Sequence, residues 1–572
     1  MDISFLINRG KEKLRTLPRR LVLYLIIFIF LNVIKVVLFN MALLPLYKDN
    51  IITVLIYKFI ITSAVLFIIY SIIISNKKLI IFFFALQCVY IIINIAYYSY
   101  YHNYLHIFLS VKLFFEGFDL VKYMQIPLST SMLVVFIDLP LFIILINKHS
   151  SIKHLHANRP ARIIRVSLIA ALLLFLVMVE RWNYSKGASI AHYFDDTRHT
   201  RPGEIAIIKR YGLLVNSIVY MMKYSQDNDL IKLLDNGPLH TSAGREKDQK
   251  PDIILIQAEA MDAHAVKAKY NGRHIMPFLG SIKDASIYYP YVLAYHKGGG
   301  TSDCEFSIIN SVEPLDHFPG IKLRYYSYEN SFIRFLKKNG YSSYAFHGNR
   351  GDYFNRIIAF NKMGFIDFYD ILKMELTESG WGAPDEDLFD YISKAALSHK
   401  KPVYYHIITM SSHIPFTTVS DYYTDPYFET VKKKSARDYF NSMAYLDKQI
   451  EKFIKDIKHD NTYIFIYGDH ASCASTIPGI YSQSKYKRGA DAFEFVPLLI
   501  ITPEKRGYTE KRLAASFLDL GITILEAAGV PYEIRTKGEN LLSYPIKDND
   551  IPFKSKNYKR SELYKMGLST FK

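Results

Sequence analysis

The sequence predicts two bodies in one chain: a five-helix transmembrane domain, then an extracytoplasmic α/β domain whose mixed sheet carries helices on both faces. Three observations lead there. The long apolar runs of the 572-residue chain fall almost entirely before residue 182. Basic residues gather in alternate gaps between those runs. From Pro251 onward the pattern changes to short β-rich runs, each ending in polar residues and followed by helical periodicity.

The candidate spans are residues 21–46, 51–75, 79–98, 129–146 and 166–179. The first four reach the roughly 18 to 25 apolar residues that a bilayer helix needs; the fifth is short and extends into 180–182. The first run is too long, and too soon followed by others, to be a cleaved signal peptide. Arg9, Lys11, Lys13, Arg15, Arg19 and Arg20 precede it, Lys77 and Lys78 separate the second and third, and Lys148, Lys153, Arg159, Arg162 and Arg165 separate the fourth and fifth. By the positive-inside rule these segments are cytoplasmic, so everything after residue 182 is outside. Lys35, Lys58 and Asp138 lie within spans, as candidates for a lipid-substrate or interhelical site. Residues 100–130, amphipathic and rich in Tyr and Phe, read as an external interfacial stretch. The expected organisation is a membrane domain over 1–182, a connector with helical pieces over 183–250, a catalytic domain over 251–545 and a basic tail over 546–572.

In an open α/β sheet, ligands bind at the carboxyl ends of strands. The run from Asp252 to Gln257 is followed by Glu259, the run from Ser343 to Phe346 by His347, the run from Val403 to Met410 by His413, and the run from Tyr463 to Tyr467 by Asp469 and His470. Four strands thus deliver an acid, two histidines and an Asp-His pair to one edge. The stretch 295–314, YHKGGGTSDCEFSIINSVEP, supplies the remaining group. Three glycines free the backbone before Thr301, and Ser302 with Glu305 reads as a capping box opening a helix. A hydroxyl beside a helix N-terminus meets unpaired N–H groups and the positive end of the dipole, where a phosphate or sulfate ester is held.

Two carboxylates, an imidazole and a hydroxyl suit Mn²⁺, Zn²⁺ or Mg²⁺. Glu259, Thr301, Asp469 and His470 form a four-ligand set in which coordination deprotonates the threonine into a nucleophile. His347 and His413 are placed to bind phosphoryl oxygens or protonate a leaving alkoxide, and Arg350 and Arg356 to add charge-assisted bonds.

As an ordered set these motifs resemble the lipoteichoic acid synthase family of membrane phosphoglycerol transferases, within the alkaline phosphatase and sulfatase superfamily. The matching features are QAEAMD at Glu259, MPFLGSI at 276–282, GGGTSDCEFSIINS at Thr301, FHGNRGDYFNR at His347, SSHIPF at His413, GDH at Asp469 and the late SFLDLGITILEAAGVP. The resemblance implies one metal, usually taken as Mn²⁺, on Glu259, Thr301, Asp469 and His470. It implies a covalent glycerophosphate on Thr301, and substrate-binding residues at His347, Asp352, Arg356 and His413. The donor it implies is phosphatidylglycerol; the acceptor is a glycerophosphate polymer, a glycolipid or a glycan. Two departures stand out: Phe354 occupies a position where the best-known members carry tryptophan, and 471–489 lacks the further histidine often found there.

Phosphoethanolamine transferases, or other sulfatase-like phosphodiester hydrolases, are the neighbouring alternative. The former usually carry several disulfides, whereas this chain has three cysteines. Cys88 lies in a span, which leaves at most one bridge, between Cys304 and Cys473; their places beside catalytic motifs favour free thiols. A non-enzymatic polymer-binding or sensor protein is the alternative of another class, and the intact set Glu259, Thr301, Asp469 and His470 argues against it. Much of the formal charge of +17 is topological, and no nucleotide loop or nucleic-acid module accompanies it. The expected partners are membrane lipid and an envelope polymer, not nucleic acid.

Overall fold

In this computed structural model the described residues are 51–73, 76–101, 159–184, 230–245 and 249–570 except 317, 324, 352, 417–418, 420–422, 458–459, 473–492 and 555, together with scattered single positions before 220. The chain divides into two compact units, residues 1–121 with 125–224, and residues 122–124 with 225–572.

The first unit contains the helices Ile51–Ile73, Lys77–Tyr101 and Arg159–Tyr184, which cover the second, third and fifth expected spans. Among the described residues one helix, over Lys77–Asn94, is long and apolar enough to cross a membrane, and a shorter apolar stretch covers Ile60–Ile73. Most of the first and fourth expected spans, Asp138 and most of 100–130 lie outside the described residues. Lys35 is buried with its ammonium 3.2 Å from the centre of the Phe84 ring, so it packs one helix on another.

The second unit is built on a nine-stranded mixed sheet. In chain order its strands are β1 (Asp252–Ala258), β2 (Ile287–Ala294), β3 (Ser342–His347), β4 (Asp367–Tyr369), β5 (Val403–Ile408), β6 (Thr462–Gly468), β7 (Glu494–Ile501), β8 (Tyr508–Thr509) and β9 (Ala515–Ser516). Across the sheet the order is β8-β2-β7-β6-β1-β5-β3-β4, with β9 also beside β2. The run from β6 to β4 is parallel, whereas β7 lies antiparallel to both β6 and β2. The carboxyl ends of β1, β2, β3, β5 and β6 therefore share one edge with the amino end of β7.

Alternation along the buried strands places helices on both faces. Ile253 and Leu255 join a core with Phe306, Phe332, Phe360 and Leu525, from the helices Thr301–Asn310, Phe332–Lys338, Arg356–Met363 and Leu518–Ala528. Ile254 and Ile256 face the opposite core, with Leu388 and Met443 from the helices Asp385–Ala395 and Lys434–Asp456. Asp447 reaches from the last of these to accept from the N–H groups of Phe278 and Leu279, at 2.7 and 2.9 Å, and so closes the start of the helix Pro277–Ile282.

Two expected boundaries differ from the structure. The strand Leu239–Ser242, expected in the connector, pairs antiparallel with Tyr532–Arg535 and belongs to the second unit. The expected tail is folded: Asp550–Phe553 and Lys556–Lys559 form a hairpin, followed by the helix Arg560–Thr570. Arg560 is fully buried and donates to both carboxylate oxygens of Asp519, at 2.8 and 2.7 Å. A run of basic residues reads locally as a solvated end, because the partner that buries this one is distant in sequence.

Candidate active site

Thr301 is the first residue of the helix Thr301–Asn310, and Gly300 is its N-cap at φ 57° and ψ −136°, a conformation only glycine adopts with ease. The expected capping box does not form. Since the helix starts one residue before Ser302, that hydroxyl turns back to donate to the Gly299 carbonyl at 2.8 Å, and Glu305 is carried inside. Asp303 holds the glycine turn instead, accepting from the N–H groups of Lys297 and Gly299 at 2.9 and 2.8 Å.

The sheet edge brings Glu259, Asp469 and His470 together, with one potential ligand atom of each within 4.8 Å of the others. His470 Nε2 lies 3.2 Å from Glu259 Oε1, 3.5 Å from Asp469 Oδ2 and 3.5 Å from Thr301 Oγ1. His470 Nδ1 donates to the Ala471 carbonyl at 3.1 Å, which aims Nε2 at the cluster. Asp469 Oδ1 accepts from the N–H groups of Ala260 and His470 at 2.9 and 2.7 Å, while its buried Oδ2 has no hydrogen bond. Burial and then the Glu259 charge push the Asp469 carboxyl well above its usual range. Burial alone would depress the His470 ring, but Asp469 and Glu259 outweigh it and hold it up at about 10. Burial likewise opposes ionisation of Glu259, yet the His470 charge holds that carboxyl below its usual range.

His347, the last residue of β3, donates through Nδ1 to the Ile408 carbonyl at 3.3 Å and presents Nε2 to Arg356, whose nearest guanidinium nitrogen is 3.4 Å away. Burial, then the Arg356 charge, lowers His347 to about 3, so it is neutral. Arg356 opens the helix Arg356–Met363. It is gripped by Glu305, with Nε 2.9 Å from one oxygen and a terminal nitrogen 2.7 Å from the other. Arg350 is exposed, and Asp352 lies outside the described residues. His413 Nδ1 donates to the Ile414 carbonyl at 2.6 Å, and its ring stacks on Trp381 at 4.8 Å. Burial lowers its pKa too. The turn leading to His413 is fixed by Asp385, which accepts from the N–H groups of Met410 and Ser411 at 2.7 and 3.2 Å.

Sequence reasoning passed over His296 and Glu494. The His296 ring stacks on His470 at 4.3 Å and its Nδ1 lies 3.2 Å from both Glu494 oxygens; Glu494 also accepts from the Ala471 N–H at 3.0 Å. His296 lies in the stretch that carries Thr301, which was signal enough. Glu494 opens β7, and a search for residues that follow strands does not find one that precedes an antiparallel strand. Left-handed backbone also gathers here, at Ala260, Phe354, Asn355 and Phe416, and the Phe354 ring comes 4.0 Å from where a Cβ of Gly300 would stand. Cys304 is a buried free thiol, and Cys473 lies outside the described residues.

Residues 251–530 match the family described as sulfatase. Residues 251–530 thus form a sulfatase-family domain. Among curated relatives, the lipoteichoic acid synthase of Staphylococcus aureus (strain USA300) is 27% identical over 345 residues, covering 55% of this chain and 52% of the relative. The chain thus spans about half the length of the curated relatives it matches. Among solved structures, the integral membrane lipooligosaccharide phosphoethanolamine transferase A from Neisseria meningitidis aligns over 89% of this chain and 95% of its own, with a TM-score of 0.56 at 12% identity; that likeness is one of fold. The lipoteichoic acid synthase LtaP from Listeria monocytogenes aligns over 53% of this chain and 79% of its own, with a TM-score of 0.46 at 23% identity.

Proposed function

We propose that the chain is a membrane-anchored phosphoglycerol transferase. It takes glycerophosphate from phosphatidylglycerol at the outer leaflet, carries it on Thr301, releases diacylglycerol and passes the group to a hydroxyl acceptor: a glycerophosphate polymer, a glycolipid or a glycan. Five spans anchor it, with the sulfatase-family domain outside. The observation that carries the reading is the Thr301 hydroxyl at a helix N-terminus, 3.5 Å from His470 in the Glu259–Asp469–His470 cluster.

The cluster fits a divalent cation. Two carboxylates, an imidazole and a hydroxyl converge, Asp469 Oδ2 is buried with no hydrogen bond, and His470 Nε2 is aimed inward by the Ala471 carbonyl. Glu259, Thr301, Asp469 and His470 would hold it, and we assign Mn²⁺. Bound there, it would lower the pKa of the Thr301 hydroxyl and offset the charge on the phosphoryl oxygens.

In the first half-reaction Thr301 Oγ1 bonds to phosphorus as the bond from phosphorus to the diacylglycerol oxygen breaks. The positive end of the dipole of the helix Thr301–Asn310 favours the anionic phosphoryl group beside Thr301. His413, with its Nδ1 committed to the Ile414 carbonyl, has its lone pair on Nε2; that atom takes the proton that the Thr301 hydroxyl gives up and delivers it to the leaving diacylglycerol oxygen. In the second half-reaction the acceptor oxygen bonds to phosphorus as the bond from phosphorus to Thr301 Oγ1 breaks, and the acceptor's proton passes through His413 Nε2 to restore the Thr301 hydroxyl. Arg356, with His347 beside it, contacts the phosphodiester, and Asp352 completes the head-group site.

The test supplies labelled phosphatidylglycerol and labelled phosphatidylethanolamine in separate reactions to the full chain in detergent with Mn²⁺. Diacylglycerol from the first alone, with label trapped on the peptide containing Thr301 and absent in Thr301→Ala, is the expected outcome. Release from phosphatidylethanolamine alone reassigns the head group, and undiminished release by Thr301→Ala overturns the covalent route.

A further inference from the structure

Glu305 sits one helical turn after Thr301 and is fully buried, and Arg356, 3% exposed, is its partner. Three hydrogen bonds join them: Nε to both carboxylate oxygens at 3.1 and 2.9 Å, and a terminal nitrogen at 2.7 Å. This is the forked geometry that fixes a guanidinium in plane as well as in position. It occupies Nε and one terminal nitrogen, and directs the other terminal nitrogen toward His347 Nε2 at 3.4 Å. Because the Nδ1 of His347 is committed to the Ile408 carbonyl, Nε2 is an acceptor and the guanidinium N–H points at it.

We propose that Glu305 is a positioning residue for phosphodiester binding: it fixes the plane and place of the Arg356 guanidinium beside His347, and it ties that group to the helix that carries Thr301. The inference rests on the reading of Arg356 as a phosphodiester contact. The nucleophile helix and the phosphate-binding arginine then move as one body, so the distance between attacking oxygen and bound phosphoryl group is set within the protein rather than by the substrate. A helix cap leaves its glutamate at the surface. Glu305 lies instead on the buried face, where a carboxylate is stable only with a paired cation. The pair also cancels a buried positive charge, so the guanidinium acts through its fixed geometry rather than as a diffuse cation.

The experiment is a double-mutant cycle on the full chain in detergent with Mn²⁺, using Glu305→Gln, Arg356→Gln and the two combined. It reads kcat and KM for diacylglycerol release from phosphatidylglycerol, Mn²⁺ content, and Kd for glycerol phosphate by calorimetry. Glu305→Gln should lose about 10- to 100-fold in kcat/KM, the range for partners that orient a contacting group, with Mn²⁺ content unchanged. The combined variant, which removes both charges, should be no worse than Arg356→Gln alone. Glu305→Asp, which keeps the charge and shortens the reach, should fall between wild type and Glu305→Gln; if Glu305→Gln fails to fold, Glu305→Asp takes its place in the cycle. Wild-type kcat/KM in Glu305→Gln, or a loss that multiplies with that of Arg356→Gln, overturns the proposal. If the wild type releases no diacylglycerol, the donor assignment has failed, and the glycerol phosphate cycle still decides Glu305 by the same criteria.

Discussion

Gly468→Ala is the smallest substitution that should dismantle the candidate site. Gly468 ends β6 opposite Ala258 of β1, one residue before Asp469. A Cβ there would stand 1.9 Å from the Met261 carbonyl oxygen and 3.1 Å from Val496 Cβ. Ordinary contact begins near 3.4 Å, so backbone must separate by about 1.5 Å, and neither neighbour of the clash is the mobile end of a side chain. The displaced segments are the two that matter: the turn after β1 carrying Glu259, and the turn after β6 carrying Asp469 and His470. Overpacking of this kind costs about 1 to 3 kcal/mol of stability, and a misplacement near 1 Å costs about 100-fold in rate. The purified full chain should therefore stay folded, bind Mn²⁺ at least about tenfold more weakly by calorimetry, and release diacylglycerol at about 1% of the wild-type rate. Gly340→Ala is the control: it has a positive φ of 87° but nothing within 4 Å of its added Cβ, so it tests backbone strain without a clash. Gly468→Ala with wild-type metal affinity and rate would refute the claim that close approach of these two turns builds the site.

Three further outcomes are expected. Glu259→Ala and His470→Ala should each keep the fold and lose about 10- to 100-fold or more in Mn²⁺ affinity with no turnover, and full occupancy in both would remove the metal assignment. His406 is buried and held near 3 by burial and then Arg356, against an unfolded value of 6.5. Its folded pKa is depressed, so its contribution is complete above 6.5 and is lost as pH falls toward 3. By pH 5 that loss is about 2 kcal/mol, so His406→Gln should be less sensitive to a shift from pH 7 to pH 5 in thermal unfolding, and an unchanged sensitivity would count against a neutral buried ring. In a cysteine-free background, an impermeant thiol reagent should modify Asn236→Cys but not Ser151→Cys in intact cells, and the reverse pattern would invert the orientation read from the basic segments.

Much of the site was written in the sequence because parallel strands with helical crossovers leave a local record. Buried apolar runs end abruptly, and Glu259, His347 and the Asp469–His470 pair stand at those ends, so strand recognition was enough to gather them. The same local reasoning misread Glu305, whose spacing from Ser302 fits a cap, although the group that accounts for it is Arg356 on another helix. It missed Glu494 because only the direction of β7 decides which of its ends lies at the functional edge, and an apolar run reads alike in either direction. It read Arg560 only as part of a basic tail, although Asp519 pairs with it in the interior. Periodicity tells which face of an element must leave water. It does not tell which buried charges meet, since pairing between distant elements depends on strand order, strand direction and the close approach that residues such as Gly468 permit. The sequence by itself determined the α/β pattern and the chemical groups at its strand ends; the tertiary structure decided the partners of the buried charges, because those are satisfied only across the assembled sheet.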